Sequence, residues 1–457
     1  MKSAKGILAL TLCITLLFGI CGCSALKDSY GGYIRGDSDD AVTDAEGDYS
    51  GSLDGPVFAP GESEAADSTT GESTKVDGES APKEDVTVKT PAGLITAGAW
   101  NDNENYEAWR ALFEQSSDSD DKGKFFGYTG TKSWGFDSYN RLKVTVGLAN
   151  DADARVAGAT VVAKSSDGAV VFEAVTDATG VAYLFTDGEA GSITVSSGEH
   201  TATANYTQEA SEEISVTLDG SAEKKDIIDI MFVVDVTGSM GDELYFLKNE
   251  LADVIDKVAQ RYSDATINLA LLFYRDDGDR EKFAYHNFTN VTNQLGLAAI
   301  QLSLDKQNAN GGGDYPEAVD EALELAVSKQ WNTAATTKLI FHVLDAPPHS
   351  KTEDMERYKA SVEAAASKGI RICPILCSGA EILTEYVVRQ AALYTAGTFI
   401  FVTDDSGIGN AHHDPQLPNV TIEALNSLLV RIIDGYHSGE FAPPVYYKED
   451  KLINQTQ

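Results

Sequence analysis

Cysteine is scarce in this 457-residue chain: there are five, and Cys13, Cys21 and Cys23 all fall within the first 23 residues. The other two, Cys373 and Cys377, lie four apart in the apolar stretch Ile370 to Cys377. On a strand rising ~3.3 Å per residue they would be about 13 Å apart, too far for a disulfide. They read as buried free thiols, and no further soft ligand stands near them to make a thiolate metal site. Positive charge is also short: 35 Lys and Arg against 71 Asp and Glu give 35 − 71 = −36. Such a field repels polyphosphate, so nucleic-acid binding is excluded as a function. Long apolar runs are missing too. The stretch Ile7 to Ile20 follows Lys2 and Lys5 and is shorter than the ~20 residues a membrane-spanning helix needs, so residues 1–22 read as a secretory signal. The whole chain is 42% hydrophobic and 9% aromatic, and long enough for about three domains at ~150 residues each.

Ile20-Cys21-Gly22-Cys23 places an aliphatic residue three before Cys23 and a small one just before it, and resembles the lipobox of bacterial lipoproteins. That resemblance implies cleavage before Cys23, lipidation of its thiol and new amino group, and an extracytoplasmic, lipid-anchored place in the bacterial cell envelope. A plain signal peptide cut nearby is the alternative. Residues 23–90 follow as an acidic tether, with 16 acids against 5 bases over 24–90 and few large apolar side chains. Residues 91–140 turn aromatic, through Trp100, Tyr106, Trp109, Phe113, Phe125 and Trp134, and read as a junction packed on the next domain.

Residues 141–220 carry short alternating runs such as Leu142 to Val146, Ala182 to Phe185 and Ile193 to Val195, separated by Asp167-Gly168, Thr179-Gly180 and Asp187-Gly188. This spacing predicts a small antiparallel β-sandwich. The stretches Val156 to Val161 and Thr176 to Gly180 resemble the carboxypeptidase regulatory-like fold, whose members mostly act as spacers or binding modules. The segment is therefore expected to be a stalk.

Ile227 to Asp235 is a nearly continuous apolar run, as expected of a strand buried on both faces of a parallel sheet, and it ends in an acid. Leu244, Leu247, Leu251, Val254, Ile255 and Val258 then recur at helical spacing. Strands and helices largely alternate to Ser438, which predicts a doubly wound α/β domain over 225–438 with its site at the carboxyl ends of the strands, and a tail over 439–457. Three oxygen-rich loops belong at that end. The first offers Asp235, Thr237 and Ser239; the second, Asn310-Gly311-Gly312-Gly313-Asp314-Tyr315-Pro316-Glu317, offers Asp314; the third begins with Asp345. Hydroxyls and carboxylates without thiols suit a hard cation, Mg²⁺ first, with Mn²⁺ or Ca²⁺ as substitutes.

These loops resemble the metal-ion-dependent adhesion site of von Willebrand factor A domains. The Asp-x-Ser/Thr-x-Ser pattern is matched by Asp235, Thr237 and Ser239, and the later loops by Asp314 and Asp345. The resemblance implies a divalent ion with an exposed face that takes a ligand, often a carboxylate of a partner. Many adhesive members carry Thr in the second loop, where this chain has Asp314. Singly, each of these residues could only end a strand or cap a helix. Three such loops in order after three apolar strands favour the ion.

The expected function is a surface lipoprotein that binds Mg²⁺ and, through it, a protein or glycan partner at the envelope, without catalysis. A scaffold whose metal only fastens the loops is the alternative, ahead of a metal-dependent hydrolase. Other chemistries fit worse. Gly238 directly precedes Ser239, against the Gly-x-Ser-x-Gly nucleophile elbow. The glycines at 311–313 lack the Gly-Lys-Ser/Thr ending of a phosphate loop, and Asp118 to Gly123 puts Lys122 where an EF-hand needs oxygen. His412-His413-Asp414 reads as an exposed polar turn, and Arg275-Asp276-Asp277 as a solvated charged turn, with a salt bridge beside the loops as the other reading.

Overall fold

A computed structural model describes residues 91–114, 125–207, 211–415 and 417–448. The signal, Cys23, the tether and the Asp118 to Gly123 stretch lie outside them. Among the described residues no helix is long and apolar enough to cross a membrane.

The first strand among the described residues is one that the sequence does not announce. β1 (Thr96–Trp100) leads through helix α1 (Tyr106–Ala111) into the sandwich strands β2 (Arg141–Leu148), β3 (Asp151–Arg155), β4 (Thr160–Ser165), β5 (Val170–Val175), β6 (Val181–Phe185), β7 (Gly191–Ser197), β8 (His200–Tyr206) and β9 (Ser211–Leu218). These form two four-stranded sheets. One is built on β2, which pairs with β3, β6 and β9, and the other runs β5-β4-β7-β8. Every pairing is antiparallel except that of β2 with β9, which is parallel.

The larger part follows as β10 (Lys225–Asp235), α2 (Gly241–Arg261), β11 (Thr266–Tyr274), β12 (Phe283–Asn290), α3 (Gln294–Asp305), α4 (Val319–Ser328), β13 (Ala335–Leu344), α5 (Thr352–Ser367), β14 (Arg371–Leu376), α6 (Ile382–Tyr394), β15 (Phe399–Val402), β16 (Glu423–Ala424) and α7 (Leu425–Ser438). Its sheet runs β12-β11-β10-β13-β14-β15-β1-β16. The stretch from β11 to β15 is parallel, while β12 and β1 run against their neighbours. Helices cover both faces, as the largely apolar and buried β10 and β13 require. On one face Leu244, Leu247 and Leu251 of α2 pack with Ile300 of α3 and Leu428 of α7. On the other, Leu323 of α4, Val362 of α5 and Val387 of α6 join a core continuous with Val161, Phe172 and Leu184 of the sandwich.

β1 belongs to this sheet although it precedes the sandwich, so the sandwich is an insertion between β1 and β10. Three features hold β1 in place. Its register sets Ala97 against Val402 and Trp100 against Phe399. Gly98 is needed there, because a Cβ would lie 2.4 Å from the ring of Phe401. The buried Glu250 of α2 accepts the backbone N–H groups of Gly93, Leu94 and Ile95 at 2.7, 2.8 and 3.1 Å. The segment read as a junction thus supplies a strand as well as aromatic packing. Beyond β1, Asp102 pairs with the buried Arg389 of α6 at 2.6 Å, and Phe185 of the sandwich stacks on Tyr394 at 4.3 Å.

Candidate metal centre

β10 and β13 are parallel neighbours, so Asp235 and Asp345, which end them, emerge at the same edge of the sheet. Both are buried. After β10 the backbone turns into α2 through Val236 to Met240. The turn is fixed by Asp235 itself, whose Oδ1 accepts the Thr237 N–H at 2.9 Å and the Thr237 hydroxyl at 2.7 Å. The hydroxyls of Thr237 and Ser239 lie 3.2 Å apart. Alternate residues therefore do converge, as their spacing predicts.

The glycine loop is laced onto this turn. Gly238 N–H donates to Gly311 O at 3.1 Å, and Asn310 N–H to Val236 O at 3.1 Å. At Gly312 φ is +74°, and a Cβ there would lie 2.8 Å from Glu317 Oε1 and 3.2 Å from Thr237 Cβ. Glycine is thus what lets the Glu317 carboxylate close on Thr237. Glu317 is buried, its N–H donating to Pro347 O of the third loop at 3.0 Å, whereas Asp314 is exposed. Of the residues expected from sequence, the structure gathers Asp235, Thr237, Ser239 and Asp345 and leaves Asp314 outside. Glu317, which the sequence reading did not single out, is the buried acid of that loop. The signal was in the same loop, an acid three residues after Asp314 and two before α4.

Burial and mutual repulsion act on these carboxyls together. Burial first, then the Asp345 charge, pushes Asp235 up to about 7. Burial first, with Glu243 and Asp242 adding to it, pushes Asp345 up to about 6. Burial and then Asp235, Asp276 and Asp345 push Glu317 up to about 9. Asp235 Oδ2, Asp345 Oδ1 and Glu317 Oε2 are each buried without a hydrogen-bond partner. Behind them Tyr274 of β11, paired in register with Asp235, is fully buried, and burial and these carboxylates keep its phenol neutral. Unsatisfied acceptor oxygens around two hydroxyls, with no thiol, are the donor set of a hard cation. Among the described residues no three His, Cys, Asp or Glu side chains close on one point by themselves. An ion there would be held by the hydroxyls of Thr237 and Ser239 together with carboxylates, some of them through water.

The surroundings brace the loops. Arg275 is buried and donates to Asn310 O, Glu281 O and Asn308 O at 3.0 to 3.1 Å, which corrects its reading as a solvated turn. Asp276 meets His349 of the third loop at 2.9 Å. His412 is likewise no exposed turn. Its side chain is 4% exposed, set between Glu243 at 2.8 Å and Asp404 at 2.7 Å, and His413 meets Glu385 at 2.7 Å. Cys373 and Cys377 are free and buried.

A mixed, mostly parallel sheet with helices on both faces and this three-loop edge defines the A-type class of domain. Residues 229–399 match the family model described as von Willebrand factor A domain. Over 143 residues, 31% of this chain, it is 25% identical to the alpha-protein kinase vwkA of Dictyostelium discoideum. Over 136 residues, 30% of the chain, it is 26% identical to a putative ariadne-like RING finger protein of Acanthamoeba polyphaga mimivirus. It spans only 22% and 13% of those two proteins. Among solved structures, the open conformation of the pilus adhesin SpaC from Lactobacillus rhamnosus GG aligns at 12% identity and a TM-score of 0.33, over 54% of this chain and 32% of that one. The conserved hypothetical protein BatB from Bacteroides thetaiotaomicron aligns at 15% identity and 0.26, over 50% and 96%.

Proposed function

We propose that the three-loop edge binds Mg²⁺ and, through it, a macromolecular partner at the cell envelope, and that the chain is held there by lipid on Cys23. Thr237 and Ser239 would ligate through their hydroxyls, and Asp235, Glu317 and Asp345 through carboxylate oxygens or bridging water. When bound, the ion supplies a Lewis-acidic position for an oxygen of the partner. The reading is one of binding, not catalysis. One observation carries it: three buried carboxyls, each with an unpartnered oxygen, lie on the loops that carry the hydroxyls of Thr237 and Ser239, and among the described residues none of the three is in an ion pair. Desolvated carboxylates without a counter-charge are costly, and a divalent cation removes that cost.

Calorimetric titration of the full chain with MgCl₂ should give one saturable site that Asp235→Ala abolishes while the far-UV circular dichroism is kept. Capture of an envelope protein or glycan on the immobilised chain should need Mg²⁺ and fail in EDTA. Equal Mg²⁺ binding by the variant would sink the site, and capture that ignores EDTA would leave the metal a fastener of loops. The anchor has its own check, since Cys23→Ala should move the protein from membrane to soluble fractions.

A further inference from the structure

Away from the metal centre, a cavity of about 400 Å³ opens between α1, α6 and residues 128–139. This is within the roughly 300–1,000 Å³ of small-molecule sites. Its walls are aromatic: Trp109, Phe113, Tyr128, Phe136 and Tyr386 line it, Tyr128 stacking on Tyr386 at 4.6 Å. At the rim the Arg110 guanidinium lies 4.4 Å from the ring centre of Tyr139 and donates to its hydroxyl at 2.6 Å.

Two polar atoms are left over among these rings, one on Gln390 and one on Arg110. Gln390, 1% exposed, lines the cavity with its Oε1 buried and without a hydrogen-bond partner. A buried amide oxygen in that state calls for a donor. Arg110 Nε is also unpartnered and calls for an acceptor, while the exposed Asp137 can accept. The Arg110 charge already meets Glu107 at 3.3 Å, so an anion gains little here. The ligand these groups fit is uncharged, has a flat apolar face for the rings, and carries groups that both donate and accept. Sugar hydroxyls do both, and the C–H face of a pyranose stacks on aromatic rings.

We propose that this cavity is a binding site for a neutral pyranose ring, lying between aromatic faces and hydrogen-bonded to Gln390, Arg110 and Asp137. The site is independent of the metal loops. The test uses the purified full chain with methyl β-D-glucopyranoside and methyl N-acetyl-β-D-glucosaminide. Saturation-transfer NMR should show transfer to the ring C–H protons of at least one glycoside, unchanged by EDTA. Gln390→Leu removes only the amide and should weaken binding at least tenfold without lowering the melting temperature. Tyr139→Ala, at an exposed position, should weaken it at least threefold. Absence of transfer from both glycosides, equal affinity in Gln390→Leu, or loss of binding in EDTA overturns the proposal. So does preferential binding of p-cresol, which would make the occupant an aromatic peptide side chain.

Discussion

Glu317 and Asp314 stand three residues apart in one loop, and the structure separates their roles. Burial beside Asp235 and Asp345 raises Glu317 to about 9, so without metal it is protonated at neutral pH and a glutamine imitates it closely. Glu317→Gln should therefore leave the metal-free fold intact while lowering Mg²⁺ affinity more than tenfold by calorimetry; Asp314→Asn, at an exposed position, should change it less than threefold. The reverse order would return Asp314 to the site. His342 makes a second residue-scale case. It sits in β13, 1% exposed, its Nε2 has no partner, and burial lowers it to about 3. A folded value below the ordinary 6.5 means that the unfolded chain binds the proton more tightly, so stability present above about 6.5 is lost as pH falls toward 3. At pH 5 the loss is about 2 kcal/mol at ~1.4 kcal/mol per pKa unit. The raised carboxyls act the other way, their share being lost as pH rises through about 6 to 9. Comparing urea midpoints of the parent and His342→Leu at pH 7 and pH 5 isolates the imidazole. The variant should gain relative to the parent at the lower pH, and parallel behaviour would refute the assignment.

Among the elements, β10 and β13 were legible because a strand buried on both faces is apolar at most positions, and each is closed by an acid that must then do something. β1 was not. Thr96-Ala97-Gly98-Ala99-Trp100 has small residues and no alternation, and its glycine answers to Phe401, some 300 residues away in sequence. The same remoteness hid His412, whose partners Glu243 and Asp404 lie on other elements, and Arg275, whose acceptors are backbone carbonyls that composition cannot show. What was legible of the metal centre was the part set by residue spacing along one strand-to-helix turn. What was not, the burial of Glu317 and the exposure of Asp314, depends on how a loop folds back. β1 also gives the element-scale prediction. Glu250→Ala strips the acceptor from three N–H groups, and at roughly 1–3 kcal/mol for each buried group left unpaired, less where water enters, a loss of about 3 kcal/mol is expected by chemical denaturation. Glu250→Gln, which keeps one acceptor oxygen, should fall between. A loss under 0.5 kcal/mol for Glu250→Ala would show that the latch is not needed.

For the whole molecule, the insertion means that residues 225–438 lack one strand of their own sheet. Expressed alone they lack β1, leaving the edge of β15 unpaired and open to other chains. This fragment should aggregate or melt at least 10 °C below the chain from residue 91 to 448, and a synthetic peptide of residues 91–103 should restore part of the difference; a fragment as stable as the longer chain would refute this. The antiparallel run of β1 carries a mechanical consequence. Because Ala97 pairs with Val402 at the carboxyl end of β15, the incoming chain joins the sheet at the edge that carries the three loops. Tension between whatever precedes residue 91 and a ligand held at those loops would travel through β1, its neighbouring strands and the Glu250 latch. The sandwich, looped out at the opposite end of the sheet, lies off that line of force. Under such a load it would be a passenger, where its place in the sequence suggests a stalk.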